Sequence, residues 1–114
     1  MTARSQQFLN ELALFYRGKG QYNMTSENLI VRLNGKPVNL HELYSSVIEM
    51  GGSFKVNQYN KWDEIYLKLF KPQPLGTNVS VALRQIYQKY LIAYEKANFS
   101  NFISDTLDND DEDG

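Results

Sequence analysis

Cysteine is absent from the sequence, and histidine occurs only once, at position 41. Without thiols the chain can form no disulfide, no thiolate zinc site and no cysteine nucleophile. A single histidine likewise excludes a zinc centre built from several imidazoles. These absences exclude thiol chemistry and histidine-rich metal centres, and they are compatible with a reducing compartment.

Long apolar runs are also missing. The sequence contains no stretch of about 18 consecutive apolar residues, which a membrane-spanning helix requires. Its start, MTARSQQFLNELALFY, has no apolar secretory segment. The P-loop, GxGxxG and HExxH motifs do not occur, and no pair of carboxylates is expected to share a pocket. We therefore expect a soluble protein that has no membrane partner, uses no cofactor and is not an enzyme.

Negative charge is scarce except at the C-terminal end. The last ten residues hold six of the 13 acidic residues, so residues 1–104 carry 12 Lys and Arg against seven Asp and Glu, a formal charge of +5. This asymmetry suits a basic domain, over 1–104, that contacts a polyanion. The acidic segment, 105–114, is expected to be disordered. It either keeps the chain soluble or imitates a polyanion at the basic surface.

Turn residues and helical spacing divide the first part of the chain. Apolar residues at helical spacing predict a helix from about Arg4 to Arg17. Residues 18–28 are polar and contain glycine, which predicts a long loop. Residues 29–38 predict a β-hairpin around Asn34 and Gly35, because both central positions of a tight hairpin turn need a positive φ.

A second helix is predicted after Asn39, whose side chain can cap it. Its apolar positions share one face and are expected to be buried: Leu40, Leu43, Tyr44, Val47 and Ile48. Its polar positions are expected to face solvent: His41, Glu42, Ser45, Ser46 and Glu49. We expect Gly51 to end this helix in a left-handed conformation, and Phe54 and Val56 to pack back onto the core.

Two further helices are predicted in the second half. The first follows Asn57 as its cap, buries Trp62 and pairs Glu64 with Lys68 one turn apart. It shares one apolar face that contains Tyr59, Trp62, Ile65, Tyr66 and Leu69. The second begins near Thr77 and continues through Tyr94. The short link PQPLG joins them, so they form a helix-turn-helix arrangement of the kind that presents its second helix to a DNA major groove.

Three blocks of the sequence resemble one known family. FLNELALFYRGKG, NGKPVNLHELYSSVIEMGGSFKVNQYNKW and LRQIYQKYLIAYE follow one another with the order and spacing of the ARID (AT-rich interaction domain) family, over roughly residues 8–96. The resemblance implies an all-α, ARID-type helical bundle that contains a helix-turn-helix and a small β-hairpin in its first loop. It departs from the family in the longer first loop, and in Asn78-Val79-Ser80-Val81 where a Ser-Ala-Ala-Phe type sequence is common.

The resemblance also implies a DNA surface. At the start of the recognition helix it implies contacts to base edges, with further polar groups along the same face: Thr77, Asn78, Ser80, Arg84, Gln85 and Gln88. The resemblance implies contacts to phosphates in the first loop, in the hairpin, in residues 50–65, which are predicted to form a tight corner between two core helices, and in the link: Lys19, Arg32, Lys36, Lys55, Lys61 and Lys71. Simpler explanations stay open, because Thr77 or Asn78 can merely cap a helix and any one lysine can merely be solvated.

The implied partner is duplex DNA, with AT-rich DNA as a candidate, bound with modest or no sequence specificity. Similarity to the ARID subunit of polybromo-containing SWI/SNF remodelling complexes implies other complex subunits as further partners, and a nuclear location. The alternative is a protein interaction module that docks a partner subunit through Tyr22, Met24, the hairpin and residues 99–107. DNA binding must weaken steeply with salt, whereas hydrophobic docking need not.

Overall fold

The computed structural model of the protein describes residues 3–70 and 78–98. Within these two stretches the chain forms six α-helices and one two-stranded antiparallel sheet. In chain order they are α1 (Ala3–Gly18), a 3-10 turn (Ser26–Leu29), β1 (Val31–Leu33), β2 (Lys36–Val38), α2 (Leu40–Glu49), α3 (Ser53–Gln58), α4 (Trp62–Phe70), α5 (Val79–Tyr90) and α6 (Ile92–Asn98). The predicted helical class with a hairpin after the first helix is confirmed. None of the described helices is long and apolar enough to span a membrane.

The core lies where α1, α2, α4 and α5 pack against one another. Each of these helices contributes side chains that are fully buried, including Leu12, Leu43, Val47, Ile65, Leu83 and Tyr87. Burying one large apolar side chain contributes about 1.5 to 3 kcal/mol. The apolar faces that helical spacing predicts are therefore the surfaces that hold the bundle together.

The hairpin forms where the sequence predicts it. Asn34 and Gly35 have φ values of 53° and 80°, the left-handed backbone that this tight turn needs. Val31 pairs with Val38 across the two strands. In β1 the residues on either side of Arg32 are buried and Arg32 is exposed, because side chains alternate along a strand. β1 contacts α5, so the hairpin places Arg32 beside that helix.

Both ends of α2 follow the prediction, whereas the segment after it follows the prediction only in part. The Asn39 side chain accepts hydrogen bonds from the backbone N–H groups of His41 and Glu42, and Gly51 has a φ of 99°. Val56 is buried as expected, whereas Phe54 is 76% exposed, so the expectation that Phe54 packs on the core is wrong. α3 begins immediately after the two glycines, and residues two apart on a helix point in nearly opposite directions.

The segment after the corner forms two helices where one was predicted. Asn60 has a φ of 54° and separates α3 from α4. Asn57 lies inside α3 and caps no helix; its side-chain oxygen accepts a hydrogen bond of 2.7 Å from the Trp62 indole N–H. Tyr59 is 62% exposed, so it does not share the buried face of Trp62.

The predicted ion pair between Glu64 and Lys68 is replaced by two others. Lys61 contacts Glu64 at 2.9 Å, and Lys68 contacts Glu49 of α2 at 2.6 Å. Lys68 therefore joins α4 to α2, which sequence spacing along one helix does not reveal. Both pairs are solvent-exposed and contribute little to stability.

The last predicted helix is divided at Leu91. The backbone of Leu91 leaves the helical conformation, with φ −123° and ψ −19°, and α6 begins at the next residue. The break turns α6 so that the Tyr94 ring lies 5.3 to 5.5 Å from the rings of Phe8, Phe15 and Tyr44. Apolar spacing stays helical across Leu91, which is itself buried, and the sequence therefore predicted a single helix.

Three polar residues of α2 are less exposed than predicted, because Ser46 is buried and His41 and Ser45 are half-buried. Ser46 is only 4% exposed. His41 is half-buried, and its ring lies 5.2 Å from the Phe8 ring with Nδ1 3.3 Å from the Ser5 hydroxyl. α1 contacts α2 and supplies both of these neighbours of His41, so packing of α1 partly buries a position that the α2 sequence alone assigns to solvent.

Candidate nucleic-acid interface

The outer face of α5 carries amide and cationic side chains. Val79, Leu83 and Tyr87 are buried against the core. On the opposite side lie the exposed side chains of Val81, Arg84, Gln85, Gln88 and Lys89, with Ser80 half-buried. The α5 sequence, VSVALRQIYQKY, contains no acidic residue. This face therefore offers hydrogen-bonding groups and positive charge with no carboxylate on its own helix to compete for them.

Asn78 occupies the N-cap position of α5 without capping it. Its backbone is left-handed, with φ 63° and ψ 20°, and its side chain makes no cap hydrogen bond. Its side chain is exposed. Capping therefore does not explain this residue, and its amide is available to a ligand. Thr77, the other predicted residue at this end, lies outside the described residues.

The hairpin and α5 enclose a shallow groove of about 320 Å³, the hairpin groove. It is lined by Val31, Arg32, Leu33, Ala82, Gln85, Ile86, Lys89 and Tyr90. The groove brings together Arg32 and Gln85, two predicted site residues that are far apart in sequence. The Arg32 guanidinium donates a hydrogen bond of 3.3 Å to the Gly35 carbonyl, which orients it while leaving its other N–H groups for a ligand.

A second groove, of about 610 Å³, lies between α5 and the loop after α1; we call it the loop groove. It is lined by Gly20, Gln21, Tyr22, Asn23, Met24, Asn28, Lys89 and Tyr90. Side-chain amides dominate its polar lining. The predicted residue Lys19 begins this loop, immediately after α1, and its ammonium lies 5.3 Å from the centre of the Phe15 ring.

Of the remaining predicted cations, those that the structure describes line neither groove. Lys36 is half-buried on β2, and Lys55 is exposed on the short helix α3. Lys61 is occupied by its contact with Glu64. Lys71, in the predicted link, lies outside the described residues. The structure thus places Arg32 and Gln85 in one groove beside the exposed face of α5, and it does not bring Lys36, Lys55 or Lys61 into either groove.

Sequence reasoning missed Lys89, which lines both grooves. Its ammonium lies 5.2 Å from the centre of the Tyr90 ring. A signal was present, because residue 89 lies one turn beyond Gln85 and residues four apart share one face of a helix. Helical spacing alone does not single out residue 89. The structure does, because the hairpin and the loop both lie against the same end of α5.

A buried carboxylate ties α5 to the glycine corner. Glu95 is buried and accepts hydrogen bonds from the Tyr87 hydroxyl, at 2.5 Å, and from the Ser53 hydroxyl and backbone N–H, both at 3.1 Å. Ser53 begins α3 immediately after Gly51 and Gly52. Glu95 therefore satisfies the first N–H of α3 and the phenol of α5 at once, which sets these two helices relative to each other.

Burial keeps several phenols of the bundle neutral. It raises the pKa of Tyr87, and the hydrogen bond to Glu95 raises it further. It raises the pKa of Tyr44 to about 12, with smaller contributions from Tyr94 and Glu95. It also raises the pKa of Tyr16, whose hydroxyl donates a 2.6 Å hydrogen bond to the Tyr90 carbonyl. These hydroxyls therefore remain protonated, and able to donate hydrogen bonds, to a higher pH than a solvent-exposed phenol does.

A third groove, between α2 and α4, has the opposite electrostatic character. Its lining includes Glu42 and Glu49 together with Lys68, and Lys68 already contacts Glu49. Neither the hairpin groove nor the loop groove has an acidic residue in its lining. In the described stretches no group of three or more His, Cys, Asp or Glu side chains is placed to hold a metal ion. Polyanion binding is thus favoured on the α5 side of the domain.

The sequence model of the family described as ARID/BRIGHT DNA binding domain matches residues 4–95 of the chain. The chain belongs to this family of DNA-binding domains, which confirms the resemblance found in the sequence. Both grooves lie within the matched residues.

Similar proteins are much longer than this chain. The AT-rich interactive domain-containing protein 2 of Mus musculus is 36% identical over 91 residues, which are 80% of this chain and 5% of that protein. The SWI/SNF chromatin remodeling complex subunit swsn-7 of Caenorhabditis elegans is 31% identical over 104 residues, 91% of this chain and 8% of that protein. The SWI/SNF chromatin-remodeling complex subunit sol1 of Schizosaccharomyces pombe is 36% identical over 66 residues, 58% of this chain and 7% of that protein. No solved structure matches the chain.

Proposed function

We propose that the domain binds duplex DNA with the exposed face of α5 in the major groove and with the hairpin beside it on the phosphate backbone. One observation carries the proposal: Arg32 of the hairpin and Gln85 of α5 line one groove that has no acidic residue. A major groove admits an α-helix, and an adjacent guanidinium suits a phosphate because it donates two parallel hydrogen bonds.

The side chains divide into two roles under this proposal. Thr77, Asn78 and Ser80 approach base edges at the start of α5, where the exposed amide of Asn78 can pair with the edge of an adenine. Arg84, Gln85 and Gln88 extend the same contact along the helix. The phosphate contacts come from Lys19, Arg32, Lys36, Lys55, Lys61 and Lys71. Few groups read bases, so we expect modest sequence selectivity and at most a preference for AT-rich sites.

The setting we propose is a nuclear complex that acts on chromatin. Two of the similar proteins are named as SWI/SNF subunits, and the chain spans less than a tenth of the length of either. The domain would then serve as the DNA-contacting part of such a subunit, acting by binding without catalysis, while other parts of the parent protein contact the other subunits.

NMR chemical-shift mapping with a short duplex tests the interface. We expect the largest shifts at Asn78, Arg84, Gln85 and Arg32, and small ones at Lys68 beside the acidic groove. Arg84→Ala should weaken binding by about 1 to 3 kcal/mol, while Lys68→Ala serves as the matched exposed control. Shifts confined to α3 and the acidic groove, with Arg84→Ala binding as tightly as the parent, would show that the interface lies elsewhere.

A second candidate function is docking of a partner protein. It is favoured by exposed aromatic side chains outside the two grooves, Phe54 and Tyr59, and by Tyr22 in the loop, which is 80% exposed. Large exposed apolar groups mark interaction surfaces when they form a contiguous patch. Salt separates the two functions, because DNA affinity falls steeply between 50 and 200 mM salt whereas apolar docking does not.

A further inference from the structure

The hairpin groove and the loop groove are formed by different segments of the chain and share one cationic residue. The hairpin groove is built from β1 and α5, and the loop groove from the segment after α1, yet Lys89 and Tyr90 line both. Lys89 lies in the last turn of α5, beyond the part of the helix that sequence reasoning assigned to DNA. The two grooves thus adjoin along the C-terminal end of α5.

The cations in these grooves are not neutralised by neighbours. In the stretches 3–70 and 78–98 the ion pairs are Lys61 with Glu64 and Lys68 with Glu49, so neither Arg32 nor Lys89 is held by a carboxylate. The Lys89 ammonium instead rests over the Tyr90 ring, a contact that positions the charge without cancelling it. Two uncompensated positive groups on one groove create a site for an anion.

The walls of the site are fixed before any ligand binds. The Tyr16 hydroxyl holds the Tyr90 carbonyl at 2.6 Å, which anchors the end of α5 to α1. The Arg17 side chain holds the Met24 carbonyl at 2.7 Å, and the Gln21 backbone N–H bonds to the Tyr16 carbonyl at 3.0 Å. α1 therefore holds both the loop and the end of α5, and such preorganisation lowers the entropic cost of binding.

We infer that Lys89 is a phosphate contact shared by the two grooves, so that the hairpin and the loop act as one continuous track for a single DNA strand. This inference rests on the proposed function. The alternative is that Lys89 only stabilises α5, since a cation near the C-terminus of a helix interacts favourably with the helix dipole. If Lys89 contacts a phosphate, removal of its charge lowers DNA affinity. If Lys89 only stabilises α5, removal of its charge lowers only folding stability.

Charge removal at Lys89 gives the first test, using fluorescence anisotropy with a labelled duplex from 50 to 200 mM salt. For Lys89→Ala and Lys89→Gln we expect affinity to fall about 5- to 50-fold at the lowest salt. The slope of log K against log salt should become shallower by about 1, because one fewer counterion is released. Lys89→Arg should bind like the parent. Lys96→Ala, at an exposed position of α6 outside both grooves, is the matched control and should also bind like the parent.

Double-mutant cycles then test whether the contact is shared. Lys89→Ala is combined with Arg32→Ala in the hairpin groove, and separately with Gln21→Ala in the loop groove. A strand that follows both grooves through Lys89 makes both pairs non-additive, with coupling well above the scatter expected for independent sites. Additivity in either pair would confine Lys89 to one groove and refute the continuous track. Thermal denaturation of each variant confirms that binding is compared between folded proteins.

The outcomes distinguish this inference from the proposed function. If Lys89→Ala binds like the parent while Arg84→Ala binds weakly, Lys89 is a helix-stabilising residue, the inference is refuted and the proposed interface stands. If the Lys89, Arg84 and Arg32 variants all bind like the parent, the proposed interface itself is wrong.

Discussion

Trp62 offers the sharpest test of how the corner supports α5. Its ring is buried at the start of α4, 5.7 Å from the Tyr87 ring of α5, and its N–H donates to Asn57 of α3. Trp62→Ala therefore removes packing between three helices. Replacing a buried tryptophan by alanine typically costs about 3 to 5 kcal/mol, because the cavity collapses only in part. The lost hydrogen bond adds little to this loss of stability, since Asn57 is exposed and water can replace the indole N–H as its donor.

The size of this loss makes it easy to measure. A domain of this length is expected to unfold with a free energy of about 5 to 15 kcal/mol, and each kcal/mol lowers the melting temperature by about 4 to 8 °C. Trp62→Ala should therefore melt at least about 12 °C below the parent. Circular dichroism is the appropriate assay, because the substitution removes the only tryptophan and with it the usual fluorescence signal.

Phe54→Ala is the matched control for Trp62→Ala. Phe54 is also a large aromatic residue near the corner, but its exposure predicts a change within about 0.5 kcal/mol. A Trp62→Ala variant that melts like the parent yet fails to bind DNA would refute the packing argument and move Trp62 into the interface. A large loss for Phe54→Ala would contradict its exposed position.

Three further predictions concern the buried carboxylate, the buried phenols and the acidic tail. Glu95→Ala removes the acceptor of the Tyr87 hydroxyl and the Ser53 N–H, and should lower the free energy of unfolding by about 1 to 3 kcal/mol for each group left unsatisfied. Urea denaturation should show a smaller loss for Glu95→Gln, because glutamine keeps an acceptor oxygen. The folded-state pKa of Tyr44, about 12, exceeds its unfolded value near 10, so its contribution is complete below a pH of about 10 and is lost as pH rises toward 12. Tyr44→Phe should flatten the fall in urea stability across that window, and an identical pH profile would contradict this. Removing 105–114 should tighten DNA binding at low salt. The gain in affinity should shrink near physiological salt, where the screening length is about 8 Å. Equal affinity with and without the segment in anisotropy titrations would show that the segment only keeps the protein soluble.

Local backbone features were predictable because each depends on a few neighbouring residues. The hairpin turn at Asn34 and Gly35 requires left-handed φ values that these residue types tolerate well. The Asn39 cap depends only on a side chain reaching N–H groups two and three residues ahead. The family resemblance predicted the helical bundle and the DNA-binding class for the same reason, because the motifs that carry it are contiguous in sequence.

The corner and the end of α5 were not predictable in the same way. Spacing rules assume an uninterrupted helix, and the left-handed Asn60 and the bend at Leu91 interrupt the helices without disturbing the apolar pattern. The α6 sequence gives no sign that Glu95 is buried, although its carboxylate accepts hydrogen bonds from Ser53 and Tyr87. Whether a carboxylate is solvated or buried depends on which donors the fold brings to it, and these donors come from other helices.

The sequence by itself determined the fold class, the hairpin, the basic character of the domain and its family, since these follow from residue types and short-range order. Only the tertiary structure decided which of the many polar residues share a surface. Arg32, Gln85 and Lys89 line one groove because β1 packs on α5, and Lys89 also lines the loop groove because α1 anchors that loop beside Tyr90. A site assembled from distant segments depends on how helices and strands pack, and packing is a property of the whole chain that no single segment encodes.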